Sequence, residues 1–225
     1  MANIVKEISE KVSSFEITGK SIQPCSSASA PPPKPANLGG KYNHEMYEQA
    51  IEGLIFALKK CDGDITAVTN DHITASVDIE PVALAHYYKD AQGILKDIHK
   101  DIKAQIAETE RVMEMLYPDA AIRRLFQNLQ TQPRMLHVSV LIQDFSFWEK
   151  NLRPFIRYAA ESWAGLPDKT WLYLYRQLCH QFMSVLEKWQ ESNFSKSRQE
   201  ECADLLRFWV DADFSVAQNA TILME

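Results

Sequence analysis

Residues 23–41, QPCSSASAPPPKPANLGGK, gather five of the chain's ten prolines and two of its seven glycines, with almost no large apolar side chain. Proline has no amide hydrogen for a helix or a ladder, and consecutive prolines favour extended polyproline II. A packed element cannot run through such a stretch. It therefore divides the chain into a short N-terminal segment, 1–22, a linker, 23–41, and a body that starts at 42.

Inside the first segment Ile4, Ile8, Val12 and Phe15 recur three or four residues apart, with charges and serines between them. That is one apolar stripe on a short helix. A helix of this length is marginal alone in water and needs a surface to lie on. The four side chains are the expected partner-binding residues, docking on a protein partner, a neighbouring copy or the body itself.

The body carries only four glycines, Gly53, Gly63, Gly93 and Gly165, and five spaced prolines, Pro81, Pro118, Pro133, Pro154 and Pro167. Prolines at such intervals read as helix punctuation, because proline is tolerated in a first turn and breaks an interior. The spacing predicts an all-α fold, an irregular bundle of about six helices over 42–210 with a weakly patterned tail, 211–225. The first helix is expected at 43–60, where Lys59 and Lys60 complement the C-terminal dipole. Residues 65–79, rich in Ile, Val and Thr, predict an irregular connection or a short hairpin.

One long helix is expected near 81–116. Its core positions read Leu84, Tyr88, Ala91, Leu95, Ile98, Ile102, Ile106, Thr109, Met113 and Tyr117. The mean step lies closer to an eleven-residue repeat than to the 3.5 of a left-handed coiled coil, which favours a nearly straight bundle helix over a coiled-coil dimer. Further helices are expected at 119–130, 133–164 (bent at Pro154), 167–191 and 197–210. Ser197 with Glu200 fits a capping box for the last.

The net charge of −6 supplies no global basic field for nucleic acid. No apolar run approaches the roughly 18–20 residues needed to span a bilayer. The first residues meet Lys6, Glu7, Glu10 and Lys11 at once, so no signal-peptide hydrophobic region is expected. Cys25, Cys61, Cys179 and Cys202 show no CxxC spacing. They read as reduced thiols in a cytoplasmic setting, the host's if the chain is an effector or a viral protein.

Motifs for chemistry are missing. Gly39-Gly40-Lys41 lacks the upstream glycine and the following Ser or Thr of a phosphate loop. None of the six histidines stands in Glu-x-x-His or HExxH, so no metal site is expected. His86 with Asp90 is the best ligand-like pair, and it reads more simply as a surface hydrogen bond. Cys179 and His180 are sequence neighbours, about 100° apart on a helix, and cannot act as nucleophile and base together. No catalytic residue and no cofactor is expected.

All five tryptophans and eight of nine arginines lie after residue 118. Arg and Trp favour interface hot spots, and arginines with aromatics also line single-stranded nucleic-acid grooves. Helical spacing of the aromatics points first to a core. If a groove exists, Arg123, Arg124, Arg134, Arg153 and Arg157 are its basic members.

The expected function is a non-enzymatic interaction or assembly protein, an adaptor or structural subunit whose N-terminal segment docks on its partner. The alternatives are a nucleocapsid-like protein that binds single-stranded RNA, and a secreted effector whose N-terminus is an export signal.

Overall fold

The structure is a computed structural model that describes residues 44–163, 166 and 168–222. The N-terminal segment, 1–22, and the whole linker, 23–41, and with them Ile4, Ile8, Val12 and Phe15, lie outside the described residues. Among the described residues every regular element is helical, as the sequence predicts: nine α-helices, one 3₁₀ turn and one π-helical turn.

Helix α1, His44–Lys60, buries Tyr47, Ala50, Ile51, Leu54, Ala57 and Leu58 along one face. It ends in a turn where Asp62 and Gly63 adopt positive φ, and the Gly63 amide donates to the Leu58 carbonyl at 2.9 Å. The β-like residues that follow form no hairpin. Asp64 accepts from the Thr66 amide and starts a 3₁₀ turn, Ile65–Ala67. Thr69 and His72 then make a reciprocal capping box for the short α2, Asn70–Thr74. Local side-chain acceptors outweigh β propensity in this stretch.

The helix expected near 81–116 is two helices, α3, Pro81–Tyr87, and α4, Ala91–Met113. Tyr88 is extended, and the Asp90 carboxylate accepts the Gly93 amide at 3.0 Å, capping a new start. Asn70 Nδ2 reaches across from α2 to the Lys89 carbonyl at 3.3 Å and satisfies the opened backbone. The core register survives the break. Leu84, Tyr88, Ala91, Leu95, Ile98, Ile102, Ile106, Thr109 and Met113 are all buried, whereas Tyr117 is exposed. The helix has ended before Tyr117, which stands as the residue preceding Pro118.

Helices α5, Pro118–Gln130, and α6, Pro133–Leu141, both begin on proline, where the absent amide costs nothing. The helix expected over 133–164 is broken after Leu141. Gln143 takes a positive φ, and the Asp144 carboxylate accepts the Phe147 amide to start α7, Phe145–Tyr158. Pro154 sits inside α7 without ending it. Its ring removes the amide that would bond the Lys150 carbonyl. One residue earlier, the Glu149 carbonyl accepts the Tyr175 hydroxyl from the next helix. A π-helical turn, Ala159–Trp163, follows.

Helices α8, Asp168–Gln190, and α9, Lys196–Ile222, are joined by a turn in which Asn193 and Phe194 both have positive φ. Burial of Phe194 against Trp189, with ring centroids 5.5 Å apart, and a 2.9 Å bond from the Trp189 indole to the Ser195 carbonyl hold that strained turn. Helix α9 starts at Lys196, so Ser197 lies inside it and is not its cap. It also runs twelve residues beyond the expected stop at Val210. Phe214 and Ala217 are buried and carry the packing face onward.

One apolar core links these helices. Helix α9 packs on α8 and α5, α5 on α4, α7 on α8, and α1 on α2 and α6. Trp148 and Trp189 are fully enclosed and Trp171 nearly so, which places most of the tryptophan enrichment in the core. Burying each large apolar side chain contributes roughly 1.5–3 kcal/mol. A small apolar cavity of about 30 Å³ remains between α5, α7, α8 and α9, lined by Leu125, Leu152, Phe155, Phe182, Leu206 and Phe214 among others.

Candidate functional site

Helix α9 has more apolar surface than its own core uses. Cys202, Ala203, Leu206, Phe214 and Ala217 face inward. Leu205, Phe208, Trp209, Ala212 and Val216, spaced three, one, three and four residues apart, form a second stripe. Leu205 and Trp209 are partly covered at the shoulder of the core, Ala212 is exposed, and Phe208 and Val216 are each 67% exposed. Phe208 thus projects from the helix beside Trp209, which leans on the edge of the core.

The stripe borders an open groove of about 380 Å³ at the α8–α9 corner. Leu205 and Cys202 form its apolar side, and Lys188, Arg198, Glu201 and Asp204 its charged rim. Arg198 pairs with Glu201 at 2.8 Å, and Asp204 is drawn to Arg123 of α5 at 2.6 Å. Burial raises the Cys202 thiol above its ordinary pKa, so it faces the groove as a small protonated group. A second, smaller apolar projection stands at the α4–α5 corner, where Met115 and Tyr117 are 78% and 85% exposed.

The five arginines named from sequence are distributed among separate partners. Arg123 binds Asp204, Arg134 lies 3.1 Å from Glu48 and 3.9 Å from Glu52, and Arg157 pairs with Glu161 at 2.7 Å. The Arg153 guanidinium lies 5.9 Å from the ring centres of both Trp171 and Tyr175. Arg124 is exposed on α5. Four of the five are thus engaged with carboxylates or aromatic faces of the same chain.

The ligand-like residues of the sequence stand apart from one another. His86 and Asp90 fall on opposite sides of the Tyr88 break, and the Asp90 carboxylate is occupied as a cap. Cys179 is fully buried, its thiol pushed up to about 12 by burial, while His180 is exposed and stacked on Phe145 at 4.1 Å. Two pairs were not legible in sequence. Cys61 Sγ lies 3.9 Å from His72 Nδ1, the nitrogen that also accepts the Thr69 amide. His99 Nε2 meets Asp144 Oδ2 between α4 and the start of α7, with the His99 ring stacked on Phe147 at 4.1 Å. Among the described residues no three His, Cys, Asp or Glu side chains come together as a metal site.

Among the described residues no helix is long and apolar enough to cross a membrane. Comparison with protein families, with curated proteins and with solved structures returns no match.

Proposed function

We propose that this chain is a non-enzymatic α-helical interaction or assembly protein of the cytoplasm, whose N-terminal segment docks through Ile4, Ile8, Val12 and Phe15 on a protein partner or a neighbouring subunit. The observation that carries the interaction reading is the outward stripe of α9. Side chains such as Phe208 and Val216 contribute nothing to the chain's own core, yet each gives roughly 1.5–3 kcal/mol when a partner covers it fully. The pairing of Arg123, Arg134 and Arg157 with carboxylates supports protein contact over an RNA groove, since each would have to leave an acid to bind phosphate.

Size-exclusion chromatography with light scattering, on the full chain and on a chain lacking residues 1–40, tests the docking. Deletion is expected to abolish assembly or partner capture while helicity and melting stay nearly unchanged. A deletion that unfolds the helical body would show that the segment belongs to the core. Salt-sensitive binding of single-stranded RNA, weakened by Arg123→Ala with Arg124→Ala, would replace the reading altogether.

A further inference from the structure

We infer that residues 88–90 are a hinge at which α3 and α4 join into one helix, and that the displaced unit α1–α3 then packs on α4 and α6 of a second copy. The inference rests on the assembly reading above, but it needs no part of residues 1–41.

The two helices share one register. Leu84, Tyr88, Ala91, Leu95 and Ile98 follow at steps of four, three, four and three, the spacing of a single helix face, straight through the break. No proline or glycine stands from Val82 to Gln92, whereas α5 and α6 start on Pro118 and Pro133. In one helix the amides of 89–92 would bond the carbonyls of 85–88. Tyr88 and Asp90 are extended, so the break forgoes those bonds. A sequence that favours one helix in a fold that holds two is the local conflict from which a bistable element is made.

The break is held by the side chains of Asp90, Tyr88 and Asn70. Asp90 caps α4, and the Tyr88 hydroxyl donates to Asp97 Oδ2 at 3.3 Å. Asn70 Nδ2 reaches the Lys89 and Tyr88 carbonyls at 3.3 and 3.5 Å. This last latch is incomplete, because Asn70 Oδ1 is buried with no partner among the described residues.

The contacts of the unit name its second acceptor. Helix α3 packs on α2 and α2 on α1, so the three move together. The unit meets the rest of the chain through α6 and α4, with Glu48 on Arg134 at 3.1 Å and the Tyr47 hydroxyl on Asp101 at 2.9 Å. A joined helix over 81–113, about 50 Å long, carries the unit off its own α6. Another copy offers the identical surface, so two open chains restore these contacts by exchange.

The full chain, held concentrated just below its melting range and then cooled, is expected to contain a dimer by light scattering. That dimer should dissociate only slowly on dilution, because reversal requires the unit to undock. Asn70→Ala and, separately, Asp90→Ala remove a latch and should each raise the dimer fraction at least about threefold, as loss of one hydrogen bond or cap does. Lys89→Pro denies the joined helix an amide and should abolish the dimer. Lys89 is exposed, and Tyr88 already has the extended backbone that proline favours before it, so the helicity of this variant should be unchanged. Glu48→Cys chains mixed with Arg134→Cys chains before the incubation should crosslink between copies through a short bis-maleimide, beyond what either variant gives alone. A chain that stays monomeric, a dimer that survives Lys89→Pro or ignores both latch substitutions, or a mixture with no excess crosslink overturns the hinge. A dimer lost on deleting residues 1–40 overturns it as well and leaves the docking segment as the assembly device. A dimer unchanged by that deletion but lost with Lys89→Pro upholds the hinge and removes the docking segment from self-assembly.

Discussion

The indole nitrogen of Trp148 donates to the Ser139 hydroxyl at 2.8 Å, and neither residue has any exposed surface. This bond joins α6 to α7 across the corner at Gln143. Ser139→Ala leaves a donor buried without an acceptor, which costs about 1–3 kcal/mol. Urea unfolding should show that loss as a lower midpoint at constant slope. Adding Trp148→Phe should cost less in the Ser139→Ala background than alone, because the orphaned donor is then gone.

His99 and Asp144 make a second link between separate helices, and its pH dependence has a definite sign. Burial pushes the Asp144 carboxyl up, but the His99 ring, the Phe147 amide and the Ser146 hydroxyl together hold it below its ordinary 3.8. A carboxyl depressed in the fold stabilises above that ordinary value, and the contribution fades as pH falls through the folded one. Asp144→Asn keeps a helix cap but removes the charge. The variant should melt lower than the natural chain at pH 7, and the gap should close as pH drops below 3.8. A gap that persists unchanged in acid would show that the charge is irrelevant.

The α4 register was legible because an amphipathic helix repeats its burial every 3.6 residues, and Ile98, Ile102 and Ile106 obey that repeat. The breaks were harder. Asp90 and Asp144 each start a helix with a single side-chain acceptor, and neither stands beside a proline that would announce it. Gln143 adopts positive φ with no glycine to mark the turn. The α9 stripe was hidden for a related reason. With the helix expected to stop at Val210, Phe208 and Trp209 looked like its end, and Ala212 and Val216 belonged to a tail. Arg123 and Asp204 stand 81 residues apart, a separation no local pattern bridges.

Asp101 gives the opposite pH signature. It is half-buried, and burial is the main influence that raises its carboxyl. Asp97 and Glu48 add to the rise, while the Tyr47 hydroxyl, donating at 2.9 Å, and Lys100 oppose it. A carboxyl raised in the fold binds its proton more tightly there, so stability is lost as pH climbs from the ordinary 3.8 through the folded value. Asp101→Asn retains an acceptor for Tyr47 and removes the charge. It should raise the melting temperature at pH 7, with the advantage shrinking in acid. A lower melting temperature at pH 7 would mean that the ionised carboxylate strengthens the Tyr47 bond by more than its burial costs.

Gly53 and Gly93 separate packing from propensity. Both lie within helices, α1 and α4, where replacing glycine by alanine is ordinarily worth up to about 1 kcal/mol in favour of the helix. At Gly53 an added Cβ would stand 2.3 Å from the Ile73 carbonyl oxygen and 2.8 Å from Ile73 Cγ2. The first of these is backbone and cannot swing aside, so α2 would have to move off α1. At Gly93 the nearest atom, Tyr88 Cδ1, is 3.5 Å away, an ordinary contact. Gly53→Ala should therefore destabilise by roughly 1–3 kcal/mol, as overpacking does, while Gly93→Ala is neutral or stabilising. Thermal melts of the two variants beside the natural chain decide the matter. Equal gains from both would show that α2 does not rest on Gly53, and that the Thr69–His72 capping box holds α2 without that contact.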